Sequence, residues 1–345
     1  MKQLLAYCLS IILCVSFTGC MENYLDLYPE DKITSASFPE NESDIKLLLN
    51  GVYAQLREKE VYNQGLFGFG ITDGATPNAF NWGTDEVFNK LGAGRLSSSD
   101  GGVVTYRWKR CYEIISRANY LLACMDLVDL SEEAKAKYSG ETHFLRGLAY
   151  SVLAETYGGV PIILTDISTE EARSLKRASL EETWQQALDD YEVAITNLGV
   201  DAPEPGRATK GAALGMKMRA YLYQGKYKEV LSCVEQIDAL KKYGLFHSYE
   251  GLFDPANENN KELFDIQYIE GENSQGSYID QYCGTGTGSW TRGSRYVPTD
   301  DLVAAYETID GSPVDPENPY ENRDPRLGFT AVLPGSYFLG YRFPN

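Results

Sequence analysis

The chain has 345 residues and a formal net charge of −18, so it excludes nucleic-acid binding by phosphate neutralisation and membrane attachment through a basic patch. Its 25 tyrosines and 4 tryptophans exceed what a core needs and point partly to a recognition surface, although helix packing accounts for more than half of them.

Lys2 gives a short positive start, and Leu4 to Phe17 carry no charge and are mostly apolar. About fourteen residues at about 1.5 Å each reach about 21 Å, short of a bilayer core of about 30 Å. Residues 1–19 therefore read as a signal peptide rather than a membrane span. The run ends in Phe17-Thr18-Gly19-Cys20, small residues before a Cys, which predicts a lipoprotein whose Cys20 carries the lipid. The membrane is then reached through a lipid anchor. Of the later cysteines, Cys111 and Cys124 fall on one predicted helix about 20 Å apart, too far to bridge. With Cys233 and Cys283 they read as buried thiols, not as a disulfide or metal framework.

Residues 20–40, broken by Pro29 and Pro39, read as an extended tether, and a helical domain is expected over 41–345. Residues 43–57 place Ile45, Leu48, Leu49, Val52 and Leu56 at helical spacing. Residues 104–127 put Trp108, Tyr112, Ile115, Asn119 and Leu122 on one face. Ser131 opens a helix towards Tyr157. Ser179 and Glu182 form a capping-box pair before a stripe of Leu180, Trp184, Leu188, Tyr191, Ile195 and Leu198. Thr209 caps a helix ending near Tyr223, and after Gly225 another runs to about Ala239. This last pair resembles a tetratricopeptide hairpin. The fold class is mainly α, a tetratricopeptide-like scaffold of helical pairs with long loops and few strands. Short strands are expected around 262–268 and at 329–333, a long loop over 271–298, and a short helix from Thr299 to about Glu307.

Catalytic and metal motifs are missing. His143 and His247 lie in no metal-ligand pattern, and no nucleophile elbow, Walker loop or dinucleotide fingerprint occurs. Asp300 and Asp301 follow Thr299, which favours helix capping over acid–base work. No cofactor is expected. The acidic loop Asp310 to Asn318 offers only a weak case for structural calcium, because it lacks alternating carboxylates.

Several blocks, in order, resemble the SusD/RagB family, the surface glycan-binding lipoproteins of Bacteroidetes. They are Tyr24 to Asp31, Asn50-Gly51-Val52-Tyr53, Glu141 to Tyr150 leading into Tyr157-Gly158-Gly159-Val160-Pro161, and Gly206 to Ala213. Asn260-Lys261-Glu262, Tyr296-Val297-Pro298-Thr299 and Asn322 to Arg326 follow. The resemblance implies a non-enzymatic outer-membrane lipoprotein facing the cell exterior. It implies capture of an oligosaccharide or peptide and delivery to a TonB-dependent outer-membrane transporter. Family members continue further, so the chain, stopping at Asn345, is expected to be incomplete at its C-terminus. Arg146 and Tyr157 read as packing residues.

Sugar recognition needs flat rings with amide, carboxylate or Arg groups beside them. Two stretches have that composition: Asp73 to Trp82, and 278–296. The candidate ligand-binding residues are Asp73, Asn78, Asn81, Trp82, Tyr282, Trp290, Arg292 and Tyr296, with Trp82 and Trp290 stacking on ligand while Asn81 and Arg292 hydrogen-bond. Either Trp could equally plug its loop onto the core. A surface glycoside hydrolase and a helical-repeat interaction protein are the alternative functions.

Overall fold

The structure, a computed structural model, describes residues 38–57, 73–81, 86–97, 99–257, 262–268, 296–338 and 341–343. These residues are mainly helical. The expected signal peptide, Cys20 and most of the tether lie outside them.

Helix α1 (Glu42–Tyr53) starts where the Asn41 side chain accepts from the Asp44 N–H at 3.2 Å, and Glu42 and Asp44 favour the positive end of the helix dipole. It buries Ile45, Leu49 and Val52, and the 3₁₀ turn Ala54–Arg57 adds Leu56. The short strand β1 (Ala79–Asn81) and helix α2 (Glu86–Gly92) follow. Helix α3 (Val103–Cys124) turns Cys111, Ile114, Ile115, Ala118 and Leu121 to the core.

Helix α4 (Glu132–Tyr157), capped by Ser131, is the central rod. It packs against α1, α3, the helix α6 (Leu180–Asn197) and, more lightly, α7 (Lys210–Tyr223). A helix covered on most sides must carry apolar or small residues on most sides. Phe144, Leu145, Tyr150 and Leu153 are accordingly buried, and Gly147 lets α6 approach closely: a Cβ there would lie 3.0 Å from Tyr191. The surface helix α5 (Thr169–Ser174) and α6 both begin with full capping boxes, Ser168/Glu171 and Ser179/Glu182. The expected stripe on α6 is buried at Trp184, Leu188 and Tyr191, while Leu180 is left exposed in the first turn. Thr209 caps α7, and Gly225, at φ +69°, turns the chain into α8 (Tyr227–Ala239). The α7–α8 pair is the tetratricopeptide-like hairpin read from the sequence.

Two charged networks tie the helices. Arg146 on α4 donates to both Asp190 oxygens on α6 at 2.7–3.2 Å and to the Asn119 side chain of α3 at 2.8 Å. Asn119 passes its own amide hydrogens to the carbonyls of Ile163 and Thr165, and His143 sits 2.7 Å from Asp190. His143 is thus a packed histidine. The second network joins three of the sequence blocks. Tyr53 donates to Glu141 at 2.7 Å, and Arg207 lies 3.4 Å from the same carboxylate and 4.9 Å over the Tyr53 ring, while also reaching Asn50. Burial pushes the Glu141 carboxyl above its ordinary range, although Tyr53 and Arg207 pull it back.

The Tyr157-to-Pro161 block is where α4 stops. Gly158 takes φ +75°, and Gly159 passes so close to residues 178–180 that a Cβ would fall 2.0 Å from the Ala178 carbonyl oxygen. Val160 is buried, with its N–H donated to Thr183 and its carbonyl accepting from Ala178. The Tyr157 hydroxyl donates to the Val104 carbonyl at 2.6 Å.

Beyond α8, two expectations fail. Residues 262–268 form no strand; Phe264 and Ile266 pack on the helical core instead, so apolar side chains rather than a ladder hold the segment. Of the expected 329–333 strand, Phe329 and Thr330 end helix α10 (Arg326–Thr330) and residues 331–333 are irregular; at the start of that helix the Asp324 carboxylate accepts from the Arg326 N–H. Strand β2 (Tyr296–Pro298) precedes helix α9 (Asp300–Ala305), and a small hairpin, β3 (Tyr337–Phe338) with β4 (Tyr341–Arg342), comes last. Arg323 gathers the carbonyls of Val303, Tyr306 and Pro319 and so fixes the loop after α9. No described helix is long and apolar enough to cross a membrane. Cys111, Cys124 and Cys233 are buried free thiols, as read from the sequence, and Cys283 lies outside the described residues.

Candidate ligand-binding site

The two aromatic- and amide-rich stretches meet. β1 and β2 pair antiparallel, with Ala79 opposite Pro298, Phe80 opposite Val297 and Asn81 opposite Tyr296. Two candidate residues from the two stretches, Asn81 and Tyr296, are therefore direct cross-strand partners. Trp82 follows Asn81 by one position, and Arg292, Trp290 and Tyr282 precede Tyr296. These four lie outside the described residues.

The first stretch is built by local polar turns. The Asp73 carbonyl accepts from both the N–H and the hydroxyl of Thr76, and the Asn78 N–H donates to that hydroxyl. Asp73 and Asn78 are both exposed. Helix α2 backs this turn, since Gly92 approaches Ala75 closely enough that a Cβ would meet its carbonyl oxygen at 3.3 Å. Lys90 of α2 pairs with Asp100 at 2.8 Å, and Lys90 with Ser97 holds the Asp100 carboxyl down at about 2.

The second stretch is anchored by its end. The Thr299 N–H donates to the Asn78 carbonyl at 3.0 Å, which extends the ladder by one bond. Pro298 stands at a ladder position that needs no N–H. Asp300 and Asp301 occupy the first turn of α9, the capping role read from the sequence.

The candidate residues read from the sequence left out Phe80, and Thr299 was read only as a helix start. Phe80 is 52% exposed on a strand, an apolar ring left to solvent beside the candidate residues. Its signal was its place among Asn78, Asn81 and Trp82. A separate cavity of about 300 Å³ lies at the Tyr53–Arg207 network, lined also by Asn50, Phe264 and Gln267. Among the described residues, no three His, Cys, Asp or Glu gather to hold a metal ion. Asp310 and Asp315 turn their carboxylates back on their own loop, to Ser312 and to Glu317 and Asn318.

Residues 23–222, more than half of the chain, match the SusD-like family described as starch-binding and associating with the outer membrane. The chain belongs to the SusD-like family. A SusD-like protein of Formosa agariphila is 27% identical over 321 residues, 86% of this chain and 58% of the relative. The crystal structure of a SusD-like carbohydrate-binding protein from Bacteroides fragilis superposes with a TM-score of 0.75 at 27% identity, covering 87% of this chain and 61% of that one. A second SusD-like protein from the same organism gives 0.72 at 26% identity, over 87% and 62%. The chain thus spans about three fifths of the length of these relatives.

Proposed function

We propose that this SusD-like chain is the non-enzymatic capture component of a glycan uptake system. It is processed after Gly19, lipid-anchored through Cys20 at the outer face of the outer membrane, and hands oligosaccharide, or peptide, to a TonB-dependent transporter. The observation that carries the reading is the β1–β2 ladder. It joins two ring- and amide-rich stretches far apart in the sequence, in a family whose model is described as starch-binding. Trp82 and Trp290 supply the stacking surfaces, and Asn81 and Arg292 the hydrogen bonds. The acidic run Glu22, Asp26, Glu30 and Asp31 after Cys20 suits an anchored protein that stands off an anionic surface.

Isothermal titration with maltoheptaose and soluble starch tests the ligand. Trp82→Ala and Trp290→Ala should each weaken binding roughly tenfold, about 1.4 kcal/mol. Unchanged affinity in both variants removes these residues from the site, and release of reducing sugar by the purified chain would favour a hydrolase instead. For the anchor, Cys20→Ala should move the protein out of the membrane fraction; retention there would count against lipidation at this residue.

A further inference from the structure

We propose that the Thr299 hydroxyl is the positioning pin that holds the two ligand-binding stretches in register, and that it thereby sets affinity; the affinity part rests on the capture role proposed above. A threonine hydroxyl has one hydrogen to give and two lone pairs. Here the hydrogen goes to the Pro77 carbonyl, across 222 positions of sequence. A lone pair accepts from the Leu302 N–H at 3.2 Å, which caps α9. The backbone N–H of the same residue donates to the Asn78 carbonyl. One residue thus fastens the 73–81 segment, ends the ladder and starts the helix.

The rest of the arrangement directs this load onto Thr299. The ladder has three register pairs among the described residues. The Thr76 hydroxyl, next to Pro77, is already committed to the Asp73 carbonyl. The far end of α9 is fixed independently, because Arg323 holds the Val303 and Tyr306 carbonyls. With α9 held at one end and pinned to Pro77 at the other, β2 has one place to lie against β1. Valine at 299 keeps the shape and removes both side-chain bonds, while serine keeps the hydroxyl.

The test compares the chain with Thr299→Val and Thr299→Ser. Hydrogen exchange is followed in peptides covering 76–81 and 296–303, and maltoheptaose affinity by titration. Thr299→Val should lose protection in both peptides, leave those of α4 and α6 unchanged, and weaken binding about tenfold; Thr299→Ser should stay within about twofold of the parent. A disulfide across Ala79→Cys and Pro298→Cys, added to Thr299→Val, should restore affinity when oxidised and lose it when reduced. Unchanged exchange in Thr299→Val overturns the pin. Lost protection with unchanged affinity, or a failure of the oxidised disulfide to rescue, overturns the affinity part. A parent chain that binds no glycan counts against the proposed function and against the affinity part of the inference, while exchange still decides the pin.

Discussion

Replacing Asp190 with alanine is expected to destabilise the scaffold by about 3–5 kcal/mol, the usual result of removing one partner from a buried ion pair. Asp190 and Arg146 are both buried, and the two carboxylate oxygens accept from Nε and Nη2 of the guanidinium, with His143 2.7 Å away. The loss would also release Asn119 from its place between Arg146 and the carbonyls of Ile163 and Thr165. Urea denaturation followed by circular dichroism at neutral pH measures it; a loss below about 1 kcal/mol would mean that water reaches the pair.

The same residue predicts a pH dependence. Burial alone would raise the Asp190 carboxyl, but hydrogen bonds from His143 and Arg146 outweigh it and hold the group below its ordinary value of 3.8. A depressed folded pKa gives stability that is complete above the ordinary value and is lost as pH falls below it. Glu141 runs the other way. Its carboxyl is raised above 4.5 by burial, so its contribution declines as pH rises from 4.5 through the folded value. Asp190→Asn should therefore flatten the acid limb below about pH 4 and leave the slope above it intact. An unchanged acid limb would assign acid unfolding to other carboxylates.

Gly159→Ala should cost about 3 kcal/mol, the upper part of the range for overpacking. The added methyl would sit 2.0 Å from the Ala178 carbonyl oxygen and 2.7 Å from the Ser179 carbonyl carbon, both main-chain atoms that no rotamer change can move. Relief would have to displace the start of α6 together with its capping box. Gly244→Ala is the internal control: nothing lies within 4 Å of its Cβ position, so its effect should remain within about 0.5 kcal/mol. Similar melting midpoints for the two variants would show that the 157–161 turn yields easily.

The helices were legible because each carried its own punctuation. Ser131, Ser179 and Thr209 cap where a hydroxyl before an apolar period is expected to cap, and Gly225 turns where a glycine between two periods should turn. The strand readings at 262–268 and 329–333 failed for a shared reason. A short apolar run does not state its period, and its environment decides: the helical core in one case, and the Asp324-Pro325 turn in the other. The composition of the candidate stretches was readable, but their meeting was not. Three-residue strands leave no alternation to detect, and nothing near Ala79 announces a partner at Pro298. Asp190 left a fainter mark, an acid set between Leu188 and Tyr191 on an otherwise apolar stripe, and only its partner on another helix gave it meaning.

The length of chain enclosed by the ladder orders the folding of the molecule. Closing a flexible loop of the 222 positions between Pro77 and Thr299 would cost about 5 kcal/mol in chain entropy, more than a three-residue ladder returns. The ladder therefore cannot nucleate. It must wait until α3, α4, α6 and α7, built on shorter-range contacts, have shortened the path between its two halves. The β1–β2 face, where ligand binding is proposed, is then the last part of the chain to assemble and the first to come apart, and its hydrogen bonds should open at free energies well below those of α4.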